Sequence, residues 1–235
     1  MSLADAKALT LNGKALTKLQ IGGATVWEAA ARDTLGSLAV GSIVHLLEDE
    51  LTPYIVIAHD HHGEGLTTLF RQTVPSVYES FNTTQSSTYN NKYNGSILQR
   101  RYAEYYASLP EATKAKIVEV GVPTRSYAAS GFTIDPIPAH MFPLSRMEYA
   151  NEGTAEGAYI PYFTDDASRI GREKDGTAKV IWTRSVVGGM ENYAHRVSQN
   201  GAISSQQLNV NGYLRPACCV RSDAPVTEAN GNLRL

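Results

Sequence analysis

The residues of this sequence that could do chemistry begin with one short run, His59-Asp60-His61-His62-Gly63-Glu64. Imidazole and carboxylate groups are good ligands for zinc and related ions. Consecutive side chains converge poorly on one tetrahedral centre, however, and the run falls where a strand gives way to a loop. The expectation is a solvated hairpin tip, with no metal and no cofactor. His45, His140 and His195 stand alone and read as packed or surface residues. Cys218 and Cys219 are adjacent and are the only cysteines. In a strand their side chains point to opposite faces, which argues against a disulfide between them and against a disulfide-stapled scaffold. The sequence has no Gly-x-Ser-x-Gly elbow, His-Glu-x-x-His pair or phosphate-binding glycine loop, and Gly95-Ser96 and Ser185 have no identifiable partner base. No catalytic residue is assigned, and the chain is not expected to be an enzyme.

Three further charged residues matter for architecture. Guanidinium groups are rarely buried unless paired, so Arg184 and Arg215 call for carboxylate partners, and Glu148 is one candidate. With the large apolar Trp182 they are expected to form a structural platform of bidentate, partly buried pairs.

The elements that must position these residues follow from pattern. Residues 8–27 read as a small meander, with turns at Asn12-Gly13 and Gly22-Gly23, dipeptides that supply positive φ. Strands this short need another surface to pack on. Residues 1–31 are therefore expected to be an attachment or oligomerisation segment, or a hairpin completing the main domain's sheet. Ser42–Leu47, Tyr54–Ala58 and Leu66–Phe70 are apolar, β-branched runs and read as strands. Thr73–Asn94 lacks a sustained period and reads as a long surface loop. Ser96 is a good N-cap, and Leu98, Tyr102, Tyr105 and Leu109 follow at helical spacing, predicting a helix with an aromatic core stripe. Pro110 predicts a second helical piece through about Val118. Asp135-Pro136-Ile137-Pro138 excludes regular helix in that stretch. Leu144–Ala150 predicts a short helix, Asn151–Gly157 a loop and Thr164–Thr177 a polar connection. The strands around Trp182, Ala194–Val197 and Gly212–Ala217 complete a small antiparallel sheet.

Composition bounds the function classes. A chain of 235 residues with 43% hydrophobic and 19% charged residues can bury a sizeable core. A formal net charge of −2 offers no footprint for nucleic acid. No apolar stretch approaches membrane-helix length, and the N-terminus lacks the basic-then-apolar layout of a signal peptide. No nucleic-acid binding and no membrane insertion are expected.

The segments Ile181-Trp182-Thr183-Arg184-Ser185 and Gly212-Tyr213-Leu214-Arg215-Pro216-Ala217 carry a resemblance. So do Leu38-Ala39-Val40-Gly41-Ser42-Ile43-Val44, Tyr93-Asn94-Gly95-Ser96 and Phe142-Pro143-Leu144-Ser145-x-x-Glu148. Together they resemble a family of uncharacterised domains from tailed phages and Gram-positive bacteria that end in Trp-x-Arg-Ser and Gly-x-x-Arg-Pro-Ala. The resemblance covers about residues 33–222. It implies an α+β fold, a C-type-lectin-like domain with short antiparallel sheets and two helices, similar to the formylglycine-generating-enzyme fold. The opening Leu-Asn-Gly-Lys-x-Leu-x-Lys-Leu-x-Ile-Gly-Gly-x-x-Val-Trp-Glu resembles the start of many phage tail and fibre proteins. The organisation expected is an N-terminal β segment at 1–31, a main domain at 32–222 and a C-terminal tail at 223–235.

What the resemblance implies about function is a phage or prophage virion protein at the tail tip, fibre or capsid surface, made in the host cytoplasm. Its partners would be other virion proteins, through the N-terminal segment, and a host-surface glycan or protein, in a homo-oligomer, with a trimer the first expectation. Adhesion would fall to the polar stretches 186–193 and 199–213, at Asn192, Tyr193, His195, Gln207, Asn209, Asn211 and Tyr213, residue types that bind adaptably on a rigid scaffold. The alternatives are a bacterial surface-binding module outside any virion, and an enzyme of the formylglycine-generating lineage. The adjacent cysteines lack that lineage's separated pair, and the residues after Trp182 lack calcium ligands.

Overall fold

The computed structural model describes residues 10–11, 14–15, 18–21, 24–28, 33–82, 92–128, 131–153, 155–229 and 231–235. It is a mostly-sheet α+β fold with few helices. The first strands form two separate hairpins, Thr10–Leu11 with Lys14–Ala15 and Lys18–Ile21 with Ala24–Glu28. The turn dipeptides Asn12-Gly13 and Gly22-Gly23 lie outside the described residues.

An eight-stranded sheet carries the core. Its order is Met141–Phe142, Ala217–Arg221, Leu66–Arg71, Leu51–His59, Ile43–Leu47, Asn232–Arg234 and Thr227–Ala229, with Ile117–Val118 also pairing with Ala217–Arg221. Alternation along these strands sends successive side chains to two faces, and both faces are covered. Val44, Leu46, Tyr54, Val56, Leu69 and Cys218 pack into one cluster, while Ile55, Ile57, Phe70, Ala217 and Cys219 pack into another. Cys218 and Cys219 are free, buried thiols on opposite sides of one strand. Residues 223–235 do not form a tail. They return as the hairpin Thr227–Ala229/Asn232–Arg234, which joins the strand Ile43–Leu47 of the same sheet and buries Val226.

A five-stranded sheet runs in the order Ile203–Gln207, Tyr193–Val197, Ile181–Val186, Asn211–Tyr213 and Tyr78–Ser80. Tyr78–Ser80 lies within the expected surface loop 73–94. That stretch also buries Val74, Phe81 and Tyr93, so its described ends belong to the core. Helix α1 (Ile97–Ser108) starts where the sequence places it, with the Ser96 hydroxyl accepting from Gln99 N. Helix α2 is shorter than expected, Glu111–Lys114, because Ile117 leaves to pair with Val220. Val120–Ala128 and Gly131–Ala139 form a long antiparallel ribbon in which Pro123 faces Pro136. Two strands alone are all edge, where proline is tolerated, so the prolines that exclude helix there do not exclude strand.

Helix α3 (Arg146–Ala150) begins with a capping box: the Ser145 hydroxyl accepts from Glu148 N, and the Glu148 carboxylate accepts from Ser145 N. Helix α4 (Asp166–Arg169) interrupts the polar connection that follows.

The two closing motifs meet at Gly212. A Cβ there would lie 2.9 Å from Trp182 Nε1 and 3.0 Å from Cδ1. The indole is fixed, donating to Glu79 O at 3.2 Å and meeting Phe81 edge to face. Gly212→Ala is therefore expected to destabilise the chain by about 1–3 kcal/mol through overpacking. Urea unfolding of variant and parent checks it.

Candidate functional site

The strand Ile181–Val186 pairs with Tyr193–Val197 out of register, Trp182 facing Arg196 but Val186 facing Ala194. The extra residues form a bulge, a device that re-aims side chains. Arg184 sits in it, and its backbone N–H goes to Leu144 O instead of the neighbouring strand. Its side chain is fully buried, and all five guanidinium donors are used. Two go to Glu148, at 2.6 Å to Oε2 and 2.8 Å to Oε1. The others reach Pro123 O at 2.9 Å, Pro143 O at 2.9 Å and Glu156 O at 2.8 Å. Burial opposes the charge on Glu148, but Arg184 outweighs it, with help from the hydrogen bond of His61, so the carboxyl is held far below the usual carboxylate range. The neighbouring Glu156 shows the reverse balance: burial dominates and pushes its carboxyl up.

Around Glu148 the structure assembles what the sequence separates. His61 Nε2 lies 3.3 Å from Glu148 Oε1 and His62 Nε2 lies 3.6 Å from the same oxygen. The expectation of a solvated tip is overturned here. The tip turns sharply, with Asp60 at φ 56° and its carboxylate accepting from Gly65 N, and folds both imidazoles back onto α3. Their side chains are 8% and 3% exposed. The rings meet edge to face at 4.6 Å, and His62 packs on Phe142. His62 Nε2 is buried with no hydrogen-bond partner. Burial, reinforced by the charge of Arg184 and by His61, pulls His62 down to about 4 against the pull of Glu148. The signal in sequence was the run itself; the missing information was a contact 87 residues away.

Arg215 corrects a second expectation. Its donors go to backbone carbonyls, Arg71 O, Gln72 O, Arg169 O and Ile170 O, and its guanidinium stacks on Phe70 at 4.1 Å. No carboxylate shares an ion pair with it among the described residues. Burial lowers its proton affinity. Trp182, Glu148 and Arg184 occupy the core.

The seven predicted ligand residues do not form one patch. Tyr193 faces Gln207 across a strand pair, and His195 follows on the same face. Leu208 N donates to Asn192 O, bringing Asn192 and Asn209 to the same end. Asn211 and Tyr213 lie across the strand Ile181–Val186, where Tyr213 packs on Tyr78 and under Lys179. Asn209 and Asn211 are exposed and the other five are partly buried. Burial, with Arg146 nearby, pulls His195 down to about 4. A separate cleft of about 560 Å³ is lined by Glu48, Arg71, Tyr105, Glu173, Lys174 and neighbours, and by none of the seven. Burial pushes the Cys219 thiol up to about 12 and Cys218 well up too, so neither is an activated nucleophile.

A family model described as a domain of unknown function (DUF6273) matches residues 64–222. The chain belongs to that family. No curated protein matches the chain, and no solved structure does. The DUF6273 span contains Glu148, Arg184, Arg215 and all seven predicted ligand residues, and begins just after His61 and His62. It leaves out four strands of the eight-stranded sheet, Ile43–Leu47, Leu51–His59, Thr227–Ala229 and Asn232–Arg234.

Two outcomes follow. Glu148→Gln leaves Arg184 buried without its counter-charge and is expected to cost about 3–5 kcal/mol in urea unfolding. The second concerns acid. His62 and His195 each have a folded value of about 4 against an ordinary 6.5. Between those values the unfolded chain binds protons that the folded chain refuses, so stability falls as pH drops from about 6.5 to 4. His62, with its side chain 3% exposed, contributes up to about 1.4 kcal/mol per pH unit. Glu148 extends the loss below its ordinary 4.5, while the raised Glu156 works in the opposite sense. Melting curves from pH 7.5 to 4.5 should show the decline, and a His62→Gln, His195→Gln variant should flatten it.

Proposed function

We propose that the chain is a phage or prophage virion structural protein, at the tail tip, fibre or capsid surface, whose main domain adopts a C-type-lectin-like arrangement and adheres to a host-surface glycan or protein. The virion assignment is supported by the tail-protein-like opening, whose described strands form hairpins separate from the two main sheets. The adhesive role is carried by one observation. The edge pair Tyr193–Val197/Ile203–Gln207 and its connecting loops present Asn192, Tyr193, Gln207 and Asn209 together, on a sheet whose central strand is anchored by Arg184. Rigid scaffolds with polar, tyrosine-bearing loops are a common solution to recognition. No helix is long and apolar enough to cross a membrane among the described residues.

The test is a cell-adhesion and glycan-array assay of the full chain against Tyr193→Ala plus Asn209→Ala, with folding checked by circular dichroism. Adhesion is expected to drop at least tenfold. Undiminished binding by the folded variant would move the site elsewhere, with the 560 Å³ cleft at Glu48 and Arg71 the next place to mutate. Mass spectrometry of purified particles should contain the chain, and its absence would remove the virion assignment.

A further inference from the structure

We propose that His61, His62 and Glu148 form a binding site for a zinc-class transition-metal ion, which staples the turn after the strand Leu51–His59 to helix α3. The three residues offer ligand atoms that all lie within 4.8 Å of one another. Zinc takes imidazole nitrogen at about 2.0–2.1 Å and carboxylate oxygen at about 2.0–2.2 Å, so two donors in a tetrahedral shell are about 3.4 Å apart. The two nitrogen-to-oxygen separations, 3.3 Å and 3.6 Å, bracket that edge.

An independent observation points to a ligand. His62 Nε2 is buried without a hydrogen-bond partner, on a side chain 3% exposed, and faces Glu148 Oε1. Buried polar atoms are nearly always satisfied, and an orphan calls for a missing partner. An ion held by both imidazoles and Oε1 would satisfy it. The surroundings are those of a supported site. Glu148 is oriented by Ser145 N and by Arg184, as outer-shell donors orient metal-ligating carboxylates. His62 is wedged by the Phe142 ring. Gly157, at φ +100°, leaves room beside the carboxylate, since a Cβ there would sit 2.8 Å from Oε1. His61 is the more accessible of the two histidines at 8%. Entry from its side leaves the fourth position to water, the arrangement of zinc sites with three protein ligands.

The donor set also selects the ion. Arg184 already neutralises Glu148, so the carboxylate contributes little net charge and the two imidazoles must supply most of the affinity. That disfavours calcium and magnesium, which need several oxygen donors, and favours nitrogen-seeking ions such as zinc. The guanidinium also limits affinity, because it places a positive charge behind the ligating oxygen.

The test uses the full chain, freed of metal with a chelator and titrated calorimetrically with zinc chloride. One saturable site per chain is expected, with affinity at least tenfold weaker in His61→Ala and in His62→Ala and unchanged in His140→Ala. Calcium and magnesium should give no heat of binding. Absence of saturable zinc binding, or zinc binding that survives both His61→Ala and His62→Ala, would overturn the proposal. Because His62→Ala opens a space beside Phe142, the unmodified chain supplies a second readout that does not depend on the variant's folding. Its melting temperature should rise with excess zinc and return with chelator, and a midpoint indifferent to both would equally overturn it.

Discussion

The buried pair of Arg184 and Glu148 is the constraint on which the rest of the structure depends. Removing two charges from water is costly, and their attraction offsets that cost only when geometry is good and the remaining donors are satisfied. Here every guanidinium donor has an acceptor, and these come from four places: the proline ribbon at Pro123, the approach to α3 at Pro143, α3 itself, and the loop at Glu156. Replacing the pair by apolar residues of equal volume, often harmless elsewhere, would strand three buried carbonyls, each costing about 1–3 kcal/mol. The pair therefore does more than hold two charges. It fixes how the five-stranded sheet meets α3 and the ribbon.

Each residue of the Trp-Thr-Arg-Ser segment has a defined task around that pair. Trp182 fills the core against Gly212, and the Thr183 hydroxyl donates to His195 O. Arg184 binds Glu148, and the Ser185 hydroxyl accepts from Arg146 N at the start of α3. The second segment closes the other side. Arg215 gathers the carbonyls at 71–72 and 169–170, Pro216 O accepts from Arg71 N, and Ala217 pairs with Phe70. Arg215 needs no carboxylate because a delocalised, weakly hydrated guanidinium can be solvated by carbonyl dipoles and an aromatic face. This accounts for two arginines in similar motifs having different partners.

Local chemistry explains which parts of the fold the sequence reveals. Ser96 and the spacing of Leu98 and Tyr102 specify α1, and the β-branched runs at 42–47, 54–58 and 66–70 mark three strands, which the fold makes neighbours and, for the second, extends to Leu51–His59. The Glu148–Arg184 pair was readable as a demand for a partner, because an arginine beside a core tryptophan needs one. The ribbon at 120–139 was hidden by its prolines, whose exclusion from central strands does not extend to edges. The closing hairpin at 227–234 was hidden because its place in the sheet is decided by a pairing with His45, far away in sequence. The histidine cluster failed for the same reason. Adjacent residues do not converge in an extended chain, but a positive-φ residue at Asp60 bends this one, and the carboxylate that gathers them belongs to another element.

The candidate binding surface is held by different contacts from those that hold the buried pair. Several of its backbone atoms are tied down: His195 O accepts from the Thr183 hydroxyl and Asn82 N donates to Leu208 O, while within the surface Val187 N donates to Tyr193 O and Leu208 N donates to Asn192 O. Any residue type supplies those carbonyls, and any except proline supplies those N–H groups. Those four bonds ask for a backbone path, while Trp182, Arg184, Gly212 and Arg215 are held through particular side chains or the lack of one. Exposed positions such as Asn209 and Asn211 can then differ in chemistry without disturbing the buried pair one or two strands away. A scaffold that concentrates its side-chain requirements in one buried network leaves its edge loops available for recognition.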